Sequence, residues 1–493
     1  MTQPPTSDTS FFGHPRGLST LFFTEMWERF SYYGTRALLI YFMTASVASG
    51  GLGFNVVKAS AIYGMYTAMV YMLSLPGGWI ADRFLGQRKA VMLGGVLIAL
   101  GNAGLAIHSL TTFYAGLGLV VLGTGLLKPN VSTIVGQIYA QGDQRRDAGF
   151  SIFYMGINLG AFLAPLICGY FGQNVNWHIG FGVAAVGMAC GLIQYQLGGR
   201  HLGDAGLHPV KAATPEEAAR QRLWLILGLG GGGAFVALGI ILKVTGILPL
   251  SATAVSQAFG LILLLTVIVS FSWLLLFTHW EPVERKRLIA IFFLFLASTI
   301  FWSVFEQAGS TLSLFAQRNT HNVVLGYNYP PSWFQAMNSI FIFSFAPVFA
   351  WIWLRMGKHD PTSPTKFTIG LLFVGLGFAV LVPAARLSAD GTMVSPLWLV
   401  VTYFCHTVGE LCLSPVGLSA MTKLAPVRIA GLTMGLWFLS ISVGNYLGGR
   451  ASSLYESLPL PTLFGAVAGF AFVAAVVVAV LIRPINKLMG GVR

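Results

Sequence analysis

Apolar stretches of membrane-crossing length follow one another along the whole chain, each closed by a short polar or glycine- and proline-rich break. A helix needs about 20 mostly apolar residues to cross a bilayer. The pattern predicts fourteen membrane helices, at 18–44, 56–80, 88–109, 112–138, 149–171, 178–197, 222–243, 253–278, 288–314, 332–354, 367–386, 396–421, 430–453 and 461–482. Gly50-Gly51, Pro330-Pro331, Asp360-Pro361 and Pro459 punctuate the connections. The longest connection, 198–221, carries Pro215, Glu216 and Glu217 and follows the sixth helix. The next two helices hold few polar side chains beyond Gln257 and read as lipid-facing additions. The predicted class is therefore an all-α membrane protein with a 6 + 2 + 6 plan. A tail (1–17) precedes an N-terminal six-helix bundle (18–197). The connection (198–221), an inserted pair (222–278), a C-terminal six-helix bundle (279–482) and a second tail (483–493) follow. Two six-helix halves around a midplane site form a transporter architecture.

Composition narrows the class further. Of 493 residues, 55% are hydrophobic and 9% charged, against roughly 25% charged in soluble domains. The formal net charge is +13. If both termini are cytoplasmic, 21 of the 29 Lys and Arg fall in cytoplasmic segments. Lys58, Lys243, Arg318, Arg386 and Arg450 fall on the other side, and Arg29, Arg36 and Lys128 lie within helices. That asymmetry is the signature of orientation in a membrane. It accounts for the basic charge without nucleic acid, for which no aromatic-plus-basic module is present. Cys168, Cys190, Cys405 and Cys412 sit in apolar segments without metal-ligand spacing and read as packing residues. The polar N-terminus lacks a signal-peptide core, and the first apolar stretch, which carries its own charges, is expected to be retained.

Ionisable side chains inside spans cost at least ~2.5–3.5 kcal/mol each, so Glu25, Glu28, Arg29, Arg36, Lys128, Glu306 and Glu410 call for a reason. On the first helix, Glu25, Glu28, Arg29, Tyr32 and Arg36 share one face at helical periodicity. That stripe needs an aqueous cavity or a partner helix. Lys128, beside Pro129, is a lone cation whose nearest sensible partner is the acid pair of the first helix. Gly156 and Gly160 permit close helix contact, and Asn158 between them suits a cavity wall. Trp302, Glu306 and Ser310 stack at i, i+4, i+8. His406, one turn before Glu410, reads as a packed histidine rather than a proton partner. The first half thus carries three deep cations and two acids, and the second carries acids alone. A cavity between them suits a zwitterion with separated ends. Dipeptide and tripeptide termini lie roughly 7–10 Å apart, so a carboxylate would meet Arg29, Arg36 or Lys128 and an ammonium Glu306. Gly228-Leu-Gly230-Gly-Gly-Gly233 matches a dinucleotide pattern but lies within an apolar span. Close helix packing is the expectation there. No nucleophile or metal constellation for an intramembrane enzyme is visible, so the chain reads as a non-enzyme.

Three motifs carry a resemblance over nearly the whole chain. Glu-x-x-Glu-Arg-Phe-x-Tyr-Tyr-Gly is complete at Glu25 to Gly34, and Phe-Tyr-x-x-Ile-Asn-x-Gly at Phe153 to Gly160. A loop of major-facilitator type runs from Gly78 through Asp82 and Arg83 to Lys89. The sequence resembles the proton-dependent oligopeptide transporter family of the major facilitator superfamily, whose bacterial members similarly insert two helices between the halves. The resemblance implies a major facilitator fold and proton-coupled import of di- and tripeptides by alternating access. It implies proton coupling by Glu25, Glu28 and Arg29 with Lys128 as their partner, and by Glu306. It implies a peptide site of Tyr32, Arg36, Tyr66, Lys128 and Asn158 in the first half and of Trp302, Glu306, Asn338, Glu410, Trp437 and Ser440 in the second. Asp82 and Arg83 are expected to help gate the cytoplasmic side. Helix two departs from the animal peptide carriers in having no His near Tyr66. Protons and peptides in a bacterial inner membrane are the expected partners, with no other cofactor and no obligate protein partner. The alternative on the same scaffold is a carrier of nitrate, another anion or a drug-like solute.

Overall fold

The computed structural model describes residues 9–140, 143–210, 212–245 and 251–492. The first eight residues of the predicted N-terminal tail lie outside the described residues, as do Lys211 and Arg493 of the basic set. The described residues build sixteen α-helices: α1 (Gly17–Thr44), α2 (Val56–Met72), α3 (Ser74–Ile80), α4 (Gln87–Leu105), α5 (Leu110–Gln137), α6 (Arg146–Tyr170), α7 (Trp177–Gly198), α8 (Pro215–Val244), α9 (Ala252–Leu276), α10 (Pro282–Phe305), α11 (Thr311–Arg318), α12 (Ala336–Met356), α13 (Ser363–Leu387), α14 (Leu397–Leu424), α15 (Ala430–Ser452) and α16 (Leu460–Met489). α2 and α3 form one span that closes in a wider turn at Leu85, and α10 and α11 form another. Sixteen helices thus make the fourteen expected spans. Twelve are apolar enough to be recognised by composition among the described residues. The two that are not, α1 and α15, include the helix that carries the ionisable stripe.

Two boundaries differ instructively from the hydropathy pattern. α8 starts at Pro215, with Glu216 and Glu217 in its first turn. Proline at the first helical position and acids against the positive helix end favour helix there, although the residues are polar. α10 starts at Pro282, where Glu281 and Glu284 form a reciprocal capping box. The same span then breaks: Glu306–Gly309 form a short 3-10 turn before α11. The hydropathy pattern gave one continuous helix there.

Each half packs on itself. In the first, α1 lies on α6 and α7 and α4 on α5; in the second, α13 lies on α14 and α16. The expected close contact on α6 is present. A Cβ at Gly160 would fall 2.2 Å from the Met26 carbonyl oxygen, so only glycine lets α1 approach. The halves meet along two seams, α2 with α15 and α6 with α12. In the first seam the α2 and α15 backbones touch at Gly64 and Gly449. Ser60 and Ser452 exchange a hydroxyl hydrogen bond of 3.1 Å, and the Ser442 hydroxyl donates to the Ala68 carbonyl at 2.8 Å. In the second, the Trp333 indole N–H donates to the Leu166 carbonyl and the Ser332 amide to Gln173 Oε1. These contacts close the end of the bundle remote from the termini.

The inserted pair is peripheral, and the glycine run of α8 serves no packing. Gly228 and Gly230 to Gly233 have no neighbouring atom within 4 Å of an added Cβ. Leu223, Trp224, Ile226, Leu227 and Leu229 around them are exposed. α8 turns its side chains outward, and the close contact read from the glycine run is not formed. α9, by contrast, packs on α2, α10 and α15.

Candidate functional site

The ionisable stripe of α1 faces inward, and its side chains are buried. Arg29 Nε lies 3.1 Å from Glu25 Oε1 and 2.5 Å from Glu28 Oε2, so one guanidinium serves two carboxylates. Glu25 Oε2, Glu28 Oε1 and Arg29 Nη2 have no hydrogen-bond partner among the described residues. The cluster is therefore one positive charge short, in surroundings where an uncompensated charge is expensive. Two turns on, Arg36 Nη2 donates to Glu306 Oε2 at 2.7 Å and its Nε to the Tyr63 hydroxyl at 2.9 Å. This buried ion pair joins the two halves.

The break after α10 makes that pair possible. Glu306 opens the 3-10 turn, and Gly309 follows within it. A Cβ at Gly309 would stand 1.8 Å from the Tyr63 hydroxyl and 3.1 Å from Arg36 Nε. Glycine thus clears the space in which tyrosine and arginine meet the carboxylate.

Between the halves lies a cavity of about 300 Å³. Ten of the sequence-predicted residues line it: Glu25, Arg29, Arg36, Lys128 and Asn158 from the first half, and Trp302, Glu306, Asn338, Glu410 and Trp437 from the second. Glu410 Oε2 accepts from Asn338 Nδ2 at 2.8 Å, and the same amide nitrogen donates to the Thr407 hydroxyl at 3.0 Å. Asn158 Nδ2 donates back to the Tyr154 carbonyl of its own helix. The Trp302 indole N–H, buried, has no partner in the protein. One wall presents Arg29, Arg36 and Lys128 together with Glu25, and the other presents Glu306 and Glu410.

Glu28, Tyr32, Tyr66, Ser440, Asp82 and Arg83 do not line the cavity. Glu28 sits behind the wall on Arg29. Tyr32 is buried, with the Arg29 guanidinium carbon 5.3 Å from its ring centre. Tyr66 is buried with its hydroxyl unpartnered. Ser440 is tied to the Ser298 hydroxyl and the Trp437 carbonyl. Lys128, expected beside the acid pair, makes no ion pair among the described residues. Its ammonium lies 3.8 Å from the centre of the Tyr71 ring, while Arg29 takes one oxygen of each carboxylate. Asp82 and Arg83 lie away from the cavity. Gln87 donates to the Asp82 carboxylate at 2.7 Å, the Val210 amide to its carbonyl at 2.7 Å, and Arg83 is 3.8 Å from Glu217. His406 is buried between Phe305 and Phe378 and also lines the cavity.

Four tyrosines on the cavity wall, Tyr33, Tyr71, Tyr154 and Tyr403, were not singled out from the sequence. Tyr154 could have been found, since it stands one turn before Asn158. Tyr33 is adjacent in sequence to Tyr32 and lies over Arg36, at 5.6 Å. Tyr71 carried no local signal.

A two-half helical bundle with opposite charges across a central cavity defines a membrane transporter. The family model described as PTR2, POT family, matches residues 88–466. The chain belongs to the POT family, whose members are transporters and not enzymes. It is 41% identical to the peptide transporter YePEPT of Yersinia enterocolitica subsp. palearctica, over 97% of this chain and 96% of that one. It is 36% identical to a di-/tripeptide transporter of Lactococcus lactis subsp. cremoris, over 99% of each. Among solved structures, a mutant of the peptide transporter POT in complex with alafosfalin superimposes with a TM-score of 0.90 at 44% identity, over 98% of this chain and 97% of that one.

Proposed function

We propose that the chain is a proton-coupled symporter that imports di- and tripeptides across the bacterial inner membrane by alternating access, with both termini cytoplasmic. The observation that carries this reading is the Arg36–Glu306 pair, a buried bridge between halves at the wall of a cavity with three cations and Glu25 on one side and acids alone on the other. The names of the relatives, peptide and di-/tripeptide transporters, support the substrate class. The lysine and arginine asymmetry supports the orientation.

In this mechanism Glu306 holds Arg36 while ionised. A proton on Glu306 removes the charge that binds the guanidinium, and Arg36 is free to meet a peptide carboxylate. The peptide ammonium is drawn to the acidic wall, where Glu410 is held by Asn338. Proton loss toward the cytoplasm re-forms the pair and displaces the peptide. The Glu25–Glu28–Arg29 cluster, short of one positive charge, is a second place for a proton, with Lys128 in the adjoining wall. With the termini cytoplasmic, the seams closed here are the outer ones. An inside-negative potential contributes ~2.3 kcal/mol per charge per 100 mV, a gradient of about fifty-fold per proton.

Reconstituted protein tests this. Proteoliposomes given an inward pH gradient and an inside-negative potential are expected to accumulate a dipeptide. Uptake indifferent to both would refute symport. Glu306→Gln, which keeps shape and removes the titrating group, is expected to abolish gradient-driven accumulation. Nitrate counterflow without competition by dipeptides would instead favour the anion carrier, a reading the acidic wall opposes.

A further inference from the structure

The inserted pair has no part in the cavity, yet α9 is placed where the halves meet. It packs on α2 of the first half and on α15 and α10 of the second, and α2 with α15 is one of the two seams. The contact with α15 is close: the Tyr446 ring lies against α9 at Gly260, where a Cβ would fall 2.2 Å from its hydroxyl. Phe259 adds an edge contact to the same ring at 6.1 Å. Lower on the helix, Phe271 meets Phe292 and Phe295 of α10 at 4.9 and 5.1 Å. Ser256, Phe259 and Leu263 are buried, although α9 stands at the outside of the molecule.

The insertion is also fastened to the first half by the segment before α8. Arg88 Nε donates to the Ala205 carbonyl at 2.7 Å and the Arg88 amide to Gly206, while the Gly206 amide donates to Gln137 Oε1. A peripheral helix tied to one half and seated on a tyrosine of the other spans the joint between bodies that alternating access requires to separate. Interfaces of this kind have discrete arrangements rather than a continuum.

We infer that α9 is a brace across the α2–α15 seam, which biases the protein toward the conformation closed at the end remote from the termini. The inference concerns the balance of conformations and stands apart from the substrate assigned above. It gives the two inserted helices a mechanical task, and it makes Tyr446, away from the cavity, a control point for how often that end opens.

The test uses the full chain in detergent with Cys190, the exposed cysteine, replaced by serine. Ser60→Cys with Ser452→Cys reports closure by disulfide formation, since those hydroxyls are 3.1 Å apart. Ser452→Cys alone reports opening by maleimide labelling. Gly260→Leu drives a side chain into the Tyr446 ring, and Tyr446→Ala removes the ring without adding atoms. Each is expected to slow cross-linking and to speed labelling by about five- to tenfold, the change produced by a modest population shift. Should Gly260→Leu fail to fold, Tyr446→Ala decides alone. A folded Tyr446→Ala protein whose two rates stay within about twofold of the parent's would overturn the inference.

Discussion

At the scale of single residues, the site depends on one absent side chain. Gly309 stands where Tyr63 and Arg36 converge on Glu306, and a methyl group there would overlap the tyrosine hydroxyl. Gly309→Ala is expected to destabilise by about 1–3 kcal/mol, the usual cost of overpacking, read as a lower unfolding temperature in detergent. Tyr63→Phe in the same chain should recover part of that loss. If Gly309→Ala melts with the parent, the turn is looser than drawn. The α1 stripe was legible because helical periodicity fixes which residues share a face, and charge inside a span demands an aqueous or polar neighbour. Gly309 was not legible, because its importance arises from where a tyrosine on another helix ends. Tyr32, Tyr66 and Ser440 show the converse. The family resemblance placed them in the site, but sequence specifies neither rotamer nor conformation. Here Tyr32 backs Arg29, Tyr66 is buried, and Ser440 is tied to Ser298.

At the scale of elements, glycines of one residue type behave in two ways. Gly160 faces a backbone carbonyl of α1 that cannot yield, whereas Gly232 of α8 faces open space. Gly160→Ala is expected to cost about 1–3 kcal/mol. Gly232→Ala should be neutral or stabilising by up to about 1 kcal/mol through helix propensity, with thermal unfolding distinguishing them. A glycine run in sequence cannot tell these cases apart, since the difference lies in the neighbour. The segment leading into α1 carries a pH dependence. His14 Nδ1 pairs with the Tyr139 hydroxyl at 2.9 Å, and Arg145 donates to the Gly13 carbonyl at 3.2 Å. Burial, and next the Arg145 charge, hold the His14 imidazole below its ordinary 6.5, with Asp143 opposing. Docking thus favours the neutral ring. The stabilisation is complete above pH 6.5 and declines as pH falls below it and the undocked form takes up its proton first. Hydrogen exchange at residues 9–14 should accelerate between pH 7.5 and 5.5 beyond the intrinsic rate, at about those two values. His14→Gln should remove that excess, and exchange tracking the intrinsic rate in the parent would rule docking out as the sensor.

At the scale of the whole molecule, the halves swing only if their seams part, and the α2–α15 seam leaves no room for a side chain at Gly64 or Gly449. A Cβ at Gly449 would lie 2.6 Å from Gly64 Cα. Gly449→Val is expected to favour the state open at that end and to cut uptake about tenfold or more, while binding measured on the solubilised protein survives. Unaltered uptake would show that this seam does not carry the transition. The 6 + 2 + 6 plan was legible because the bilayer sets span length and charge sets orientation. Which helices form the joint was not legible, since α2, α6, α12 and α15 carry no pattern that marks them. The charges around the cavity have a consequence at this scale. Four carboxyls, Glu25, Glu28, Glu306 and Glu410, face three bases, Arg29, Arg36 and Lys128. Ionised and vacant, the interior carries one electron's worth of negative charge, while a single proton and a zwitterion bring it to neutrality. The laden carrier would then turn over almost blind to voltage, and the membrane's electric field would act on the unladen return. Rapid-mixing electrophysiology should therefore find capacitive currents without peptide and see them quenched as peptide is supplied.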